Sequence, residues 1–364
     1  MIQKNSTSKK ASKPMLLLQS GKKSFYNGLF FKTTATIFSF CLLVSLFALA
    51  FFVIQGRQIV HVENPEEVTL VAEVYDARQF PVGIDVERKE IVENPAVETY
   101  FDEHIAMKSS PTAMHTSWFS RTLGKLALMN WYQNLASLSS RVLVIQSGER
   151  KEQVADHFAK ILGWSLDEKK NFLAGIENAE PELVDGKFFP GTYTTAKEAA
   201  PEDVIPLITD RFQSEVLSRY GDDVEAAVPL SDALTIASLL EREAYDFEDM
   251  RLIAGVIWNR LFIDMNLQID ATLQYAKGSK PNQPWWPRVI PNDKYIASVY
   301  NTYKNSGLPP APIANPSLDS ILAALNPRKT DCMFYFHDKR AGFHCSKTYA
   351  EHVASLKQYY GQGK

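Results

Sequence analysis

An uncharged, mostly apolar run at residues 33–54 constrains the topology of this chain more than any other feature. As an α-helix rising ~1.5 Å per residue, a run of this length just crosses a hydrocarbon core about 30 Å thick. Seven lysines and no acidic residue precede it, so the positive-inside rule keeps the N-terminus in the cytoplasm. The sequence therefore predicts one transmembrane helix at residues 33–55, with everything after it exported.

A cleaved signal peptide is the alternative interpretation of this run. Ala48, Leu49 and Ala50 have the small-x-small form of a cleavage site. These residues lie inside the apolar run, however, and the run is longer than the apolar core of a usual signal peptide. An uncleaved signal anchor is therefore favoured.

Charge and cysteine content restrict the partners of the exported part. Without the seven tail lysines, the formal net charge of -3 becomes about -10, which argues against nucleic acid or anionic lipid as a partner. Cys332 and Cys345 flank a predicted hairpin in a compartment where oxidation is possible. Pairing inward from the turn does not place them opposite one another, so a disulfide is not assumed. The histidines near them, His337, His344 and His352, do not form a recognised zinc spacing with Cys345, and we predict neither a metal nor a cofactor.

The chain divides by composition into successive segments, and the exported part is of the α+β class. A strand at 142–145 followed by helices at 151–162 and from 165 resembles the small LysM-like module that accompanies certain cell-wall enzymes. The predicted segments are a basic cytoplasmic tail (1–32), the signal anchor (33–55), a membrane-proximal segment of unknown role (56–140), the LysM-like module and its linker (141–228) and a mixed α+β catalytic domain (229–364).

Glu243 is the strongest candidate for chemistry. In a helix predicted over residues 231–245, it lies on the apolar face beside Ile236, Leu239 and Leu240. A carboxyl group on an apolar face loses solvation, which raises its pKa toward the range where it donates a proton near neutrality. The structural alternative is a buried ion pair, for which Arg251 or Arg260 would supply the partner.

Six further segments follow Glu243 in a specific order. They are AGVIWNRL (254–261), LQIDAT (267–272), VYNTY (299–303), GLPPAPIANP (307–316), AALNP (323–327) and GFHCSKTY (342–349). In this order and spacing they closely resemble the MltG (YceG-like) family of endolytic murein transglycosylases, over roughly residues 141–360.

The resemblance implies roles for individual residues. The family's catalytic glutamate is the second acidic residue of a Glu-x-Glu pair, which falls on Glu243. The family commonly has Lys and Thr where this chain has Arg242 and Ala244, but neither change removes a carboxylate. Residues implied to orient sugar and peptide-stem groups, each with a structural role as the alternative, are Gln268, Asp270, Tyr300, Asn301, Tyr303, Asn315 and His344.

The resemblance also implies an activity and a location. A lytic transglycosylase cleaves the β-1,4 bond between N-acetylmuramic acid and N-acetylglucosamine with one Glu as general acid and base, giving 1,6-anhydro ends. The implied protein is a single-pass protein of the bacterial inner membrane that acts on peptidoglycan strands beside the cell-wall synthases and terminates nascent strands. The alternatives are an inactive peptidoglycan-binding scaffold and a hydrolytic muramidase.

Overall fold

The computed structural model describes residues 79–101, 140–179, 183 and 185–361. The predicted cytoplasmic tail, the signal anchor at 33–55 and most of the membrane-proximal segment lie outside these residues. Within the described ranges, no helix combines the length and the apolar character that crossing a membrane requires.

A small αβ module is formed by residues 140–196, at the start of the longer described part of the chain. Strand β3 (Ser140–Ile145) leads into helices α1 (Lys151–Leu162) and α2 (Leu166–Ala179), and strand β4 (Gly191–Ala196) closes the module. β4 pairs antiparallel with β3, with Leu143 opposite Tyr193. The strand, helix, helix order predicted from the sequence is confirmed, and β4 completes it.

The core of this module follows from helical and strand periodicity. Val154, Ala155 and Phe158 lie on one face of α1 and are buried, as expected for apolar residues spaced by three and four positions. Leu143 and Ile145 alternate inward along β3 and are equally buried. Gly163 ends α1 in the left-handed conformation at φ 75°, which glycine adopts without steric cost.

A helical connection leads from the module to the second part of the chain. The sequence predicts one helix over residues 201–220, whereas the structure ends α3 (Pro201–Glu215) earlier and continues with a 3-10 turn (Leu217–Arg219) and α4 (Asp222–Ala227). Pro206 lies inside α3, where it removes one backbone donor.

Three packed helices form the centre of the second part. They are α5 (Leu230–Glu243), α6 (Phe247–Phe262) and α8 (Leu318–Leu325). α5 and α8 are buried along most of their length. Trp258 Nε1 donates to the Ala324 carbonyl at 2.9 Å, which joins α6 to the C-terminal end of α8. α7 (Asp270–Gly278) packs beside α5. The N-terminus of α7 meets the C-terminus of α5.

A hairpin covers one side of these helices. β5 (Phe334–His337) pairs antiparallel with β6 (Phe343–Ser346), and α9 (Tyr349–Tyr360) packs behind them. The structure joins Cys332 to Cys345 by a disulfide with a Cα–Cα distance of 5.7 Å. Cys345 lies opposite Tyr335 in the register, and Cys332 reaches it diagonally from just before β5. Counting only directly opposite residues missed this pairing.

Residues 79–101 belong to the same hydrophobic core as the helices. Strands β1 (Ile84–Asp85) and β2 (Glu90–Ile91) form a short hairpin, and a helical segment at residues 95–101 follows it. Phe101 is fully buried and meets Phe247 edge to face at 5.2 Å. Part of the segment that the sequence left without a role therefore supports α6.

Candidate active site

Glu243 is the last residue of α5, and its carboxyl group is held by two hydrogen bonds. The Tyr335 hydroxyl donates to Glu243 Oε2 at 3.1 Å, and the Ala271 backbone N–H donates to Oε1 at 3.3 Å. Tyr335 comes from β5 and Ala271 from the first turn of α7. Three elements that are distant in sequence therefore meet at one carboxyl group.

The surroundings of Glu243 raise its pKa. Burial by the surrounding protein is the largest cause, and the negative charge of Asp270 acts in the same direction. The hydrogen bonds from Tyr335 and Ala271 and the nearby His337 lower the pKa and oppose the shift only in part. The carboxyl group therefore holds its proton to a higher pH than an ordinary glutamate does, as a general acid requires.

Neither arginine named as an ion-pair partner for Glu243 pairs with it. Arg251 pairs with Glu98 and Glu248. Arg260 donates to the carbonyl of Met333 at 2.6 Å and also to backbone oxygens at 266 and 267. The buried ion pair offered as the structural alternative for Glu243 is therefore not formed with either residue.

The hairpin brings a second pair of groups to the same side as Tyr335. His337 lies two residues further along β5, so its side chain leaves the same face of the strand. Its Nε2 lies 2.8 Å from Oδ2 of Asp249, and both side chains are largely buried. Sequence reasoning considered His337 only as a metal ligand and did not select Tyr335. The hydrogen bond between Tyr335 and Glu243 joins residues 92 positions apart in the sequence. The one local signal for Tyr335 was the run of aromatic residues along β5.

Two of the predicted substrate-binding residues, Asp270 and Tyr303, are directly joined. The Tyr303 hydroxyl donates to Asp270 Oδ1 at 2.7 Å. Asp270 is exposed at the N-terminus of α7, directly before the residue whose N–H binds Glu243. The hydrogen bond and the charge of Asp270 add to burial in raising the pKa of Tyr303. The two side chains thus form a polar rim beside the carboxyl group.

Gln268 lies at the same rim in an unusual backbone conformation. Its φ of 52° is in the left-handed region, which costs a non-glycine residue about 1 kcal/mol or more. The conformation is held because Gln268 N donates to the Thr302 carbonyl at 3.1 Å, while Thr302 Oγ1 accepts from Ile269 N at 3.0 Å. The Gln268 side chain remains exposed.

Tyr300 lies further along the loop, and its ring packs at a tilt of 46° against another tyrosine. Its ring centroid is 4.6 Å from that of Tyr275 in α7. The side chain is half-buried, and burial raises its pKa. Part of its ring is therefore already used within the protein.

Asn301 and Asn315, both predicted as substrate contacts, are buried and engaged with the backbone. Asn301 is 0% exposed, and its Nδ2 donates to the carbonyls of Lys294 and Ile296. Asn315 is 1% exposed, and its Oδ1 accepts from Phe188 N at 3.3 Å. Each amide therefore shapes a loop, which is the structural alternative stated for these residues.

His344 lies on the other face of the hairpin from Tyr335. It is paired with Phe336, and neighbouring strand positions point to opposite faces. Its Nε2 lies 2.9 Å from Asp338 Oδ2, and its ring packs on Tyr359 with a centroid distance of 4.1 Å. The structure therefore does not bring His344 to Glu243.

The Pro-rich loop with Trp285 and Trp286 packs onto the αβ module. The Arg150 guanidinium lies 4.5 Å from the Trp286 ring centroid and donates to the Trp285 carbonyl at 2.5 Å. The Arg242 guanidinium, next to Glu243 in the chain, lies 4.0 Å from the same Trp286 centroid. These contacts join the module to the region around Glu243.

The fold and the site together define a helix-centred α+β protein with one glutamate carboxyl group enclosed between α5, α7 and a hairpin. The chain belongs to the YceG-like family, whose model matches residues 82–358. The match begins well before the motif-based resemblance at residue 141, and it includes the β1–β2 hairpin.

Curated relatives are 35–37% identical to this chain over a matched region of 159 or 177 residues. An endolytic murein transglycosylase from Bacillus subtilis (strain 168) is 37% identical over 177 residues, which are 48% of this chain and 48% of that protein. An endolytic murein transglycosylase from Streptococcus pneumoniae serotype 2 is 35% identical over 159 residues, 44% of this chain and 29% of that protein. The matched region thus spans about half, or less, of each relative's length.

A solved structure supports the fold. A crystal structure of a yceG-like protein from Listeria monocytogenes superposes with a TM-score of 0.52 at 24% identity, covering 76% of this chain and 97% of that chain. At this identity the similarity establishes the architecture alone.

Proposed function

We propose that this protein is a membrane-anchored endolytic lytic transglycosylase that cleaves β-1,4 bonds between N-acetylmuramic acid and N-acetylglucosamine within peptidoglycan strands. The observation that carries the proposal is the carboxyl group of Glu243, which has a raised pKa, is held by Tyr335 and Ala271, and has no ion-pair partner in Arg251 or Arg260. The names of the relatives supply the substrate class.

Glu243 acts in both halves of the proposed reaction. Its proton passes to the glycosidic oxygen as the bond between C1 of the muramic acid and O4 of the N-acetylglucosamine breaks, so the leaving strand ends in a 4-hydroxyl group on that glucosamine. The C6 hydroxyl of the same muramic acid then forms a C1–O6 bond, and its proton returns to the Glu243 carboxylate. Because the nucleophile is attached to the substrate, its effective concentration is high and no second carboxylate is needed.

The groups around Glu243 suit this alternation of charge. In the protonated state, burial and Asp270 favour the neutral carboxyl group. After proton transfer, the Tyr335 hydroxyl and the Ala271 N–H stabilise the carboxylate. Ala271 belongs to the first turn of α7, where the helix dipole favours a negative charge. We expect Gln268, Asp270 and Tyr303 at the rim to orient sugar or stem-peptide groups.

The proposed location follows from the apolar run and the basic tail. Residues 33–55 would hold the catalytic domain on the outer side of the bacterial inner membrane, with the N-terminus in the cytoplasm. The domain would then act where the cell-wall synthases extrude new strands, and cleavage there terminates them. The LysM-like module at residues 141–228 would contribute to strand binding.

Product analysis tests this function. The full chain, purified in detergent, is incubated with uncrosslinked glycan strands beside the Glu243→Gln variant, and the products are identified by mass spectrometry. Internal fragments with 1,6-anhydromuramic ends that are absent with the variant are expected. Reducing muramic ends would indicate a muramidase, and intact bound strands would indicate a scaffold; either result contradicts the proposal.

A further inference from the structure

Tyr245, two residues after Glu243, is exposed to an extent unusual for its surroundings. It keeps 69% of its surface accessible, although the chain on either side enters the buried helices α5 and α6. Two peptide units span at most about 7 Å between Cα atoms. The Cα atom of Tyr245 therefore lies within about 7 Å of the Cα atom of Glu243, the candidate acid.

The Tyr245 backbone is fixed by Asp249. Asp249 is 7% exposed, and its Oδ2 accepts from Tyr245 N at 2.9 Å. The Asp249 backbone N–H in turn donates to Oδ1 of Asp246, the N-cap of α6, at 2.9 Å. These bonds hold the three-residue connection between the helices in one conformation, so little backbone freedom remains to be lost on binding.

The Tyr245 ring is fixed by His337. The two rings meet nearly perpendicular, at 85°, with their centroids 4.9 Å apart. The same Asp249 carboxylate binds His337 Nε2 at 2.8 Å. Since one buried carboxylate holds both the backbone and the neighbouring ring of Tyr245, the exposed side chain is pre-positioned.

A continuous row of three aromatic rings, which we call the aromatic row, leads to Glu243. Its members are Tyr245, His337 and Tyr335. The centroids of Tyr335 and His337 are 6.2 Å apart, and the Tyr335 hydroxyl reaches Glu243. The row runs from the carboxyl group outward to the exposed ring of Tyr245. A glycan strand bound with its scissile bond at Glu243 would therefore lie within reach of that ring.

An exposed aromatic residue alone does not define a site. Tyr349 is also 66% exposed, and single exposed apolar residues are common on protein surfaces. Tyr245 differs in being held by a buried carboxylate and in its proximity to the candidate acid. A rigid aromatic ring offers an apolar face and a polar hydroxyl at low entropic cost, which matches the apolar C–H face and polar edge of a pyranose.

From this arrangement we propose that Tyr245, positioned by Asp249 and His337, forms a saccharide subsite that stacks on one sugar ring of the glycan strand beside the bond that Glu243 cleaves. This inference rests on the proposed function. It differs from the expectation for Tyr300, whose ring already packs on Tyr275.

Binding measurements in an inactive background test the subsite. Uncrosslinked glycan strands are titrated calorimetrically into the full chain carrying Glu243→Gln, alone and combined with Tyr245→Leu, Tyr245→Phe or the control Tyr349→Leu. Tyr245→Leu should weaken binding about tenfold, whereas Tyr245→Phe should stay within about twofold of the parent. The control should bind as the parent does.

The outcomes separate the two proposals. If Tyr245→Leu binds strands as tightly as its parent, the subsite is overturned while the proposed function stands. An equal loss in Tyr245→Phe and Tyr245→Leu overturns stacking, because the phenylalanine retains the ring. If the Glu243→Gln parent itself binds no strands, both proposals fail. In the active protein, Tyr245→Leu should raise KM more than it lowers kcat.

Discussion

At the scale of single residues, the environment of Glu243 combines opposing influences that an ordinary surface glutamate does not meet. Burial and Asp270 favour its neutral form, while Tyr335, Ala271 and His337 favour the carboxylate. Because burial is the largest of these, the balance lies toward the proton. A group required both to give and to take a proton benefits from this arrangement, since each of its two charge states has groups that favour it.

The raised pKa of Glu243 predicts a pH-dependent cost to stability. Between the ordinary glutamate pKa of 4.5 and the raised folded value, the folded state binds more protons than the unfolded state, so the free energy of unfolding decreases as pH rises. Glu243→Gln removes this dependence. Its melting temperature should therefore exceed that of the parent, by an amount that grows as pH rises through that window.

The control for this prediction is Glu87→Gln, which changes an exposed glutamate. Its melting temperature should follow that of the parent at every pH. A Glu243→Gln variant less stable than the parent near neutrality would show that the carboxylate stabilises the fold, contrary to the prediction.

Tyr335→Phe tests the hydrogen bond to Glu243. Loss of a hydrogen bond to a charged group costs about 1.5–3 kcal/mol, which corresponds to roughly a tenfold to hundredfold decrease in kcat if the bond acts in the transition state. Because this bond lowers the pKa of Glu243, its loss should also move the alkaline limb of the pH–rate profile to higher pH. Tyr349→Phe is the control, and an unchanged profile in Tyr335→Phe would contradict the assignment.

At the scale of elements, the site depends on how one segment distant in sequence braces α6. The helical segment at 95–101 carries Glu98, which forms ion pairs with Arg251 and Arg328. Arg251 is fully buried, and its Nε also donates to the Asn326 carbonyl at 2.8 Å. The segment thereby ties α6 to the end of α8.

Removing Glu98 should destabilise the fold strongly. Glu98→Ala removes the carboxylate closest to the buried Arg251 and leaves Glu248, at 3.8 Å, as its remaining carboxylate partner. Breaking a buried ion pair in this way costs about 3–5 kcal/mol of unfolding free energy. Urea unfolding followed by tryptophan fluorescence measures the loss. Glu90→Ala breaks only the exposed pair with Arg88 and should change the unfolding free energy by less than about 1 kcal/mol; equal effects of the two variants would contradict the bracing role.

Several elements could be predicted from the sequence because their signals are local. The helix at residues 151–162 has the limits that the sequence predicts, since its apolar spacing, acidic first turn and closing glycine are all contiguous. The position of Glu243 on the apolar face of its helix is also predictable, because helical periodicity alone decides which face it takes.

The features that the sequence did not reveal depend on long-range packing. Tyr335 and His337 reach the site only because the β5–β6 hairpin folds over α5 and α6. The same register sends His344 to the opposite face. Asn301 and Asn315 look like surface amides in the sequence, yet their loops turn inward and their amide groups bind backbone. No local pattern distinguishes an amide that binds sugar from one that holds a loop.

At the scale of the whole described region, Arg150 couples the αβ module to the part that carries Glu243. It is 2% exposed and donates to Ser279 Oγ at 3.2 Å and to the carbonyls of Gln274 and Tyr275 near the end of α7, each at 3.2 Å. The same loop of the module donates from Gly148 N to the Asn315 carbonyl at 2.9 Å. If the module binds a glycan strand, these contacts would hold that strand in a fixed position relative to Glu243.

Arg150→Lys should weaken this coupling. Lysine keeps the positive charge but lacks the planar fork that reaches several acceptors at once. The carbonyls at the end of α7 therefore lose hydrogen bonds, which lowers the unfolding free energy by about 1–3 kcal/mol in total. We expect a lower urea midpoint for the whole region, read from tryptophan fluorescence. Lys170→Arg, on the exposed face of α2, is the control, and a wild-type midpoint in Arg150→Lys would contradict the coupling role.

The central claim is that Glu243 works with a nucleophile supplied by the substrate and not with water. Digestion of uncrosslinked glycan strands by the full chain in water enriched in oxygen-18, followed by mass spectrometry of the new muramic ends, tests this claim most directly. We expect 1,6-anhydro ends that contain no oxygen-18, because the C6 oxygen of the sugar closes the ring. Reducing ends that carry one oxygen-18 atom at C1 would contradict the claim.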